Sequence, residues 1–145
     1  MKMHFDDRKY INRDTYLRYA NTNEAFLTLP LRGVVLELPG LGGGSCLGGC
    51  PEPCSYDAEH AQDFGRNGIL LAYLFPGPWS WGNKGAVRMG DAVLDAICDK
   101  YGVDDLRLGV CGGSMGGQSA LVYTAYAKRT PKACITNCPV CDLPY

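Results

Sequence analysis

A serine flanked by glycines lies in the run Gly112-Gly113-Ser114-Met115-Gly116-Gly117. The run contains the pattern G-x-S-x-G between an apolar stretch typical of a strand and a stretch typical of a helix. Glycines at both flanks allow the tight, strained turn that such a serine requires. The turn would raise the Ser114 hydroxyl above the carboxyl edge of a sheet, with a helix N-terminus beneath any developing anion. The pattern therefore predicts a nucleophilic serine that attacks a carbonyl carbon.

The same run has an alternative interpretation as a glycine-rich turn without a catalytic role, for example one that holds a phosphate group. A P-loop is excluded in its usual form, because no Gly-Lys-Ser or Gly-Lys-Thr follows. The strand and helix patterns on either side favour the nucleophile.

Four short apolar runs predict the strands that position this serine. Near-continuous apolar runs of this length are typical of strands buried on both faces of a sheet. The runs are Gly33–Leu38, Gly68–Phe75, Leu106–Cys111 and Lys132–Asn137.

Three helical stretches lie between these runs, at residues 56–66, 84–101 and 115–129. The second carries an apolar stripe at helical spacing, which predicts a side that faces the core. Its aspartates fall on another face, and we expect them to be solvated. The stripe consists of Met89, Val93, Ala96, Ile97 and Tyr101, and the aspartates are Asp91, Asp95 and Asp99.

The alternation of strands and helices predicts one α/β domain with a mostly parallel sheet, right-handed crossovers and helices on both faces. Its core spans residues 31–145, and residues 1–30 form an N-terminal edge segment. Within that segment, Thr15–Tyr19 and Ala25–Leu29 are expected to form a hairpin that joins the sheet antiparallel. A length of 145 residues fits a single domain.

The order of these motifs resembles the α/β-hydrolase superfamily. The glycine string Leu38–Gly44 follows the first buried strand, and the G-x-S-x-G turn follows two strands later. The resemblance implies an oxyanion hole made by the backbone amides of Met115 and of Leu41, or of Gly42 in its place. The chain departs from the family in having Pro39 where histidine is frequent.

The middle of the chain is similar to the catalytic domain of the prolyl oligopeptidase family and its acyl-peptidase and esterase relatives. The similarity covers residues 33 to about 140, and it includes the glycine-containing loop Phe75–Gly82 and Asp91 early in a helix. It implies a serine hydrolase that acts on carboxylic esters or peptide-like acyl substrates. Trp79 and Trp81 would line an apolar substrate pocket there, or they would simply cover the sheet.

A serine hydrolase also needs a base and an orienting acid, which in this superfamily follow the serine in the order acid, then histidine. No histidine follows Ser114, and the only later carboxylate is Asp142. His4 and His60 lie where the family does not place its base. The resemblance therefore implies that the chain stops before both groups, after the strand that follows the nucleophile helix. We expect a companion segment or a homo-oligomer to complete the sheet, and a poorly active chain without it.

Eight cysteines raise the alternative of a metal site or a disulfide scaffold. Cys134, Cys138 and Cys141 have the spacing of the radical-SAM motif, but almost no chain follows them. Cys46, Cys50 and Cys54 are spaced four residues apart, so they form no C-x-x-C pair, and this weakens the interpretation as a zinc site. We expect mostly reduced thiols, no metal and no cofactor.

Composition excludes several other classes of protein. A net charge of −1 does not favour nucleic acid or an anionic membrane surface. The N-terminus lacks the apolar region of a signal peptide, and the longest apolar run is too short to span a bilayer. The expected location is the cytoplasm, and the expected partner is a small ester or peptide-like substrate.

Three hypotheses follow from the sequence. The first is the serine hydrolase. The second is a non-catalytic or truncated hydrolase-fold protein that binds a ligand or a partner through the same cleft. The third is a metal-binding module built on the cysteines.

Overall fold

A five-stranded, mostly parallel sheet organises the chain in a computed structural model, which describes residues 10–50 and 56–142. The strands lie in the order β1-β3-β2-β4-β5, and only β1 is antiparallel to its neighbour. The strands are β1 (Ala20–Thr22), β2 (Gly33–Leu38), β3 (Ile69–Leu74), β4 (Leu108–Gly113) and β5 (Ala133–Asn137). The helices are α1 (Glu59–Arg66), α2 (Lys84–Tyr101) and α3 (Met115–Tyr126).

The predicted strands and helices are present, but several boundaries differ by one to three residues, and two of these shifts affect the surroundings of Ser114 and α2. β4 begins two residues later than predicted and includes both glycines before Ser114, because it pairs with β2 as far as Leu38 opposite Gly112. α3 ends at Tyr126 instead of residue 129, since Ala127 turns to an extended conformation. The basic residues after it therefore lie outside the helix.

The predicted N-terminal hairpin is wrong, although an antiparallel edge strand is present. Both predicted arms contain short 3-10 turns, and the strand Ala20–Thr22 lies between them. The buried side chain of Asn23 ends this strand by accepting a hydrogen bond from Leu71 N at 2.8 Å and donating one to Ala61 O at 2.7 Å. A three-residue strand carries no alternation that a sequence pattern can detect.

The two faces of the sheet bury two separate clusters. Alternate residues of β2, β3 and β4, such as Leu36, pack against α2 and α3 in the larger cluster. The residues between them, such as Leu71 and Tyr73, pack against α1 and Tyr56 in the smaller one. Helices therefore lie on both faces, as predicted.

On the face of the sheet that carries the smaller cluster, the described residues cover only β2 and β3. Among the described residues, nothing covers the side chains that β5 presents there, and Ile135 is 71% exposed. Adjoining cavities of about 650 and 300 Å³ lie between α1 and β5, with Gly109 and Ala133 in their floor. A buried parallel strand normally has cover on both faces. A companion segment over this face stays a prediction.

The prediction that the α2 aspartates are solvated is wrong for two of the three. Asp91 accepts hydrogen bonds from residues that follow or belong to α3, and Asp95 accepts hydrogen bonds from Lys128 and Arg129. Burial acts to raise the pKa of Asp95, but the hydrogen bonds from these two cations outweigh it and lower the pKa. Only Asp99 is exposed. The early end of α3 is what brings its basic residues to α2.

Candidate functional site

Ser114 occupies a strained turn between β4 and α3. Its backbone angles are φ 53° and ψ −122°, and α3 begins at the next residue. This confirms the geometry predicted from the glycine pattern. The flanking glycines are required by space, because a Cβ atom at Gly112 would lie 2.3 Å from the Gly116 oxygen. A Cβ atom at Gly116 would lie 2.1 Å from the Leu38 oxygen.

The backbone of the turn is held from two sides. Ser114 N donates a hydrogen bond to Asn137 O at 2.9 Å, at the end of β5. Ser114 O accepts hydrogen bonds from Gly117 N at 3.0 Å and from Val140 N at 3.4 Å. Its side chain does not cap the helix and is exposed. The fold thus fixes the main chain of Ser114 while leaving its hydroxyl accessible.

The glycine loop after β2 lies beside this turn. Because β2 and β4 are neighbours, Gly40 comes so close to Gly113 that a Cβ atom on Gly40 would lie 3.3 Å from the Gly113 oxygen. This agrees with the strand order that the sequence interpretation required. The loop closes on itself through Gly40 N to Gly44 O at 2.8 Å and Gly43 N to Gly40 O at 3.0 Å.

The amides predicted for the oxyanion hole lie in this region. Neither internal hydrogen bond of the glycine loop uses the amide of Leu41 or of Gly42. Met115 is the first residue of α3, where backbone amides have no acceptor within the helix. Their role as oxyanion donors stays a prediction.

Tyr73 fastens the glycine loop to the neighbouring strand. Its side chain is fully buried, and its hydroxyl donates a hydrogen bond to Gly43 O at 2.7 Å. Burial, followed by the nearby charge of Glu37, raises the pKa of Tyr73 to about 12. The hydroxyl therefore stays protonated as a donor across the physiological range.

Glu37 is a buried residue of the site region that the sequence analysis missed. Its carboxylate is 1% exposed, and one oxygen accepts hydrogen bonds from Ser45 Oγ at 2.7 Å and Leu47 N at 3.0 Å, as well as from Cys46 N. The other oxygen accepts one from Tyr56 Oη at 2.9 Å. Burial, and then the Glu37 charge, raise the pKa of Tyr56 above its ordinary value.

A sequence signal for Glu37 existed. A carboxylate inside a strand buried on both faces must find hydrogen-bond donors, because an unpaired buried charge is very costly. Its partners come from the stretch that follows the glycine loop. The carboxylate therefore fixes the path of the chain as it leaves that loop.

The predicted substrate-binding residues occupy different environments. Gly42 lines an apolar cavity of about 200 Å³ at the carboxyl ends of β2 and β3. Trp79 is 68% exposed, and Trp81 is half-buried with a φ of 46°. Neither tryptophan lines that cavity, which residues 73–78 form instead. Their role in substrate binding stays a prediction.

The two histidines and the late carboxylate do not form a base and acid at Ser114 in what the structure describes. His60 lies on α1, where its Nε2 contacts the carbonyl oxygen of Leu47. His4 lies outside the described residues. Asp142 is exposed at the end of the described chain.

The cysteines are mostly free thiols, as expected. Cys50 is disulfide-bonded, and Cys54 lies outside the described residues. Burial and the charge of Glu37 raise the pKa of Cys111 to about 12 and also raise that of Cys46, which disfavours the thiolate that a metal requires. Residues 10–50 and 56–142 contain no group of three histidine, cysteine, aspartate or glutamate side chains that is arranged to hold a metal ion.

Two further findings bear on function. None of the helices in residues 10–50 and 56–142 combines the length and the apolar character that a membrane span needs. The chain matches no model of a known protein family and no curated protein.

Proposed function

We propose that this chain carries the nucleophile and the oxyanion loop of a serine hydrolase of the α/β-hydrolase fold. Its substrates are carboxylic esters or peptide-like acyl compounds. The observation that carries the proposal is the strained, exposed Ser114 at the start of α3, next to a glycine loop from the neighbouring strand. Strain of this kind persists where the surrounding structure enforces it, and it clusters at active sites.

The proposed reaction is acyl transfer through a covalent intermediate. Ser114 Oγ forms a bond to the carbonyl carbon and gives its proton to a base. The negative charge on the former carbonyl oxygen is held by the amides of Met115 and of Leu41 or Gly42. The intermediate expels the alcohol or amine, which takes up the proton, and water then releases the acid from Ser114.

The base and its orienting acid are proposed to come from a companion segment. His60 is engaged with Leu47, so it is a poor candidate for this task. The uncovered half of the sheet beside β5 supports the idea of an added segment, because an apolar surface of this kind is normally covered.

Labelling with a fluorophosphonate tests the nucleophile directly. Because the described residues place no base at Ser114, labelling of the chain alone should be slow. Over a long incubation the Ser114 oxygen should still displace fluoride and form a phosphonate ester, which mass spectrometry locates by peptide mapping. Ser114→Ala should abolish the label, whereas Ser119→Ala should retain it. Ser119 is a matched control because it lies on α3, the helix that follows Ser114, is 1% exposed, and has a hydroxyl without a hydrogen-bond partner in the described structure. Labelling that persists in Ser114→Ala would contradict the proposal.

A non-catalytic protein that binds a ligand through the same cleft is the second candidate. It is favoured by the exposed Ser114 hydroxyl, beside which the described residues place no histidine. This candidate predicts that a ligand binds equally well to the native chain and to Ser114→Ala, and that fluorophosphonate leaves Ser114 unmodified.

A further inference from the structure

We propose that the cavity behind the glycine loop binds an apolar arm of the ester substrate, about as large as a phenyl ring. The inference rests on the proposed function and specifies the substrate class. It comes from the chemistry of the cavity wall, its volume and its place relative to Ser114.

The wall of the cavity is mainly apolar, and its side chains are almost entirely carbon. The cavity lies between the glycine loop, with Pro39, Gly42 and Gly43, and residues 73–78. Those six residues read Tyr-Leu-Phe-Pro-Gly-Pro, so Tyr73 supplies the only polar side-chain atom in the lining. That hydroxyl already donates to Gly43 O at 2.7 Å. A charged or strongly polar arm would lose its hydration there without gaining a side-chain partner.

The volume limits the size of the arm. The cavity measures about 200 Å³. An apolar cavity of about 150 Å³ in another protein accepts benzene, so a phenyl ring or a short branched alkyl group suits this one. Phe75, in edge-to-face contact with Tyr73 at 5.9 Å between ring centroids, supplies an aromatic wall.

The position of the cavity sets the length of the arm. β3 is separated from β4 by β2, and neighbouring strands lie about 4.8 Å apart. The cavity lies between the ends of β2 and β3, so it is about 5–10 Å from the strand that presents Ser114. The glycine loop lies between the two. We therefore infer that the preferred ester carries its ring at the end of a flexible chain, and that short esters leave the cavity empty.

Binding of toluene tests the cavity without any reaction. Titration followed by amide chemical shifts should show perturbations at residues 73–78 and in the glycine loop. Phe75→Trp, which narrows the cavity, should weaken binding at least tenfold. Tyr126→Trp is the matched control, because Tyr126 is 75% exposed at the end of α3.

Phe75→Ala provides a test in which binding should be gained instead of lost. Removing the ring enlarges the cavity, so naphthalene should bind to this variant more tightly than to the native chain. The variant must keep the dispersed amide chemical shifts of the native chain, because a partly unfolded chain with exposed apolar surface also binds aromatic compounds. Naphthalene binding that is unchanged or weaker would overturn the assignment of Phe75 to the wall.

Ester hydrolysis then connects the cavity to Ser114. The 4-nitrophenyl esters of acetic, octanoic and 8-phenyloctanoic acid should show increasing kcat/KM, by about tenfold to a hundredfold from first to last if a phenyl group becomes buried. Phe75→Trp should remove that increase, whereas the exposed control Tyr126→Trp should keep the increase and leave acetate hydrolysis unchanged. Equal kcat/KM across the series, together with no toluene binding, would overturn the inference about the cavity but would not bear on the proposed function. Toluene binding with hydrolysis that survives Ser114→Ala would instead overturn the proposed function.

Discussion

The hydroxyl of Tyr123 donates a hydrogen bond to Asp91 Oδ1 at 2.8 Å and thereby joins the nucleophile helix to α2. Tyr123 is 1% exposed, and its ring lies against Gly90, where an added Cβ atom would come within 2.6 Å of it. The same carboxylate accepts a hydrogen bond from Lys128 N at 3.1 Å, just beyond the end of α3. One aspartate thus holds both the last turn of the helix that begins after Ser114 and the chain just beyond it.

Tyr123→Phe should lower the free energy of unfolding by about 1.5–3 kcal/mol, because it removes a hydrogen bond to a charged group and leaves the ring in place. Urea denaturation measures the effect. Tyr126→Phe removes a hydroxyl from an exposed tyrosine of the same helix and should change stability by less than about 0.5 kcal/mol. Equal effects of the two substitutions would contradict the role of Asp91.

Gly116→Ala should destabilise the protein by more than about 4 kcal/mol or prevent folding, because its methyl group would overlap the Leu38 carbonyl. Gly102→Ala is the comparison. Gly102 has a φ of 64° with nothing within 4 Å of an added Cβ atom, so only the backbone conformation opposes the change, at about 1–2 kcal/mol. Thermal unfolding of both variants distinguishes steric overlap from backbone strain. If Gly116→Ala destabilises the protein no more than Gly102→Ala does, the turn can open to accept the methyl group.

Glu37→Gln should destabilise the chain by about 2–3 kcal/mol, because an amide group cannot accept all the hydrogen bonds that the carboxylate receives. Glu59→Gln, on the exposed start of α1, should have little effect. Urea denaturation of the two variants provides the measurement. If Glu37→Gln leaves the free energy of unfolding unchanged, the chain after the glycine loop holds its path without the charge.

Acid should weaken the contact between α2 and the residues after α3. The folded state holds the pKa of Asp95 below its ordinary value, so the unfolded chain binds this proton more readily. The stabilisation is therefore complete above about pH 4–5, the ordinary range of an aspartate, and is lost as the pH falls through the lower folded pKa. Asp95→Asn should flatten the pH dependence of stability in this acidic range, whereas Asp99→Asn should leave it unchanged. A slope unaltered in Asp95→Asn would exclude this contact as its source.

The 145-residue chain alone should hydrolyse an activated aryl ester slowly, at a rate no more than about 10³–10⁴ above water, because binding and the oxyanion donors act without a base. Ser114→Ala should remove this rate, and His60→Ala should leave it unchanged. Rates from initial product release settle the point. Rapid turnover that disappears in His60→Ala would identify His60 as the base.

Long apolar runs and steric requirements made most of the sheet predictable. Gly33–Leu38 and the helix 84–101 have the bounds that the sequence predicted. The strand is an apolar run that ends before Pro39, and the periodic helix lies between its cap residues Asn83 and Gly102. The conformation of Ser114 was predictable too, since few sequences other than G-x-S-x-G tolerate so tight a turn.

Tertiary partners were the part that sequence patterns could not reveal. Asp95 fits a solvated helix face by its spacing, yet α3 ends early enough to bring two cations to it. Glu37 sits in an apolar run, and its donors come from eight to nineteen residues further along the chain. Such pairings depend on how loops return to the sheet, which helical and strand periodicity does not encode.

The hydrogen bond from Tyr73 to Gly43 bears on when the glycine loop takes its shape. The glycine loop takes its position from a fully buried side chain of β3, so its shape is set when the protein folds and not when a ligand arrives. Dipoles that already point the right way need no reorganisation when charge develops in front of them. A ligand that accepts a hydrogen bond from this loop would therefore meet donors that folding has already put in place.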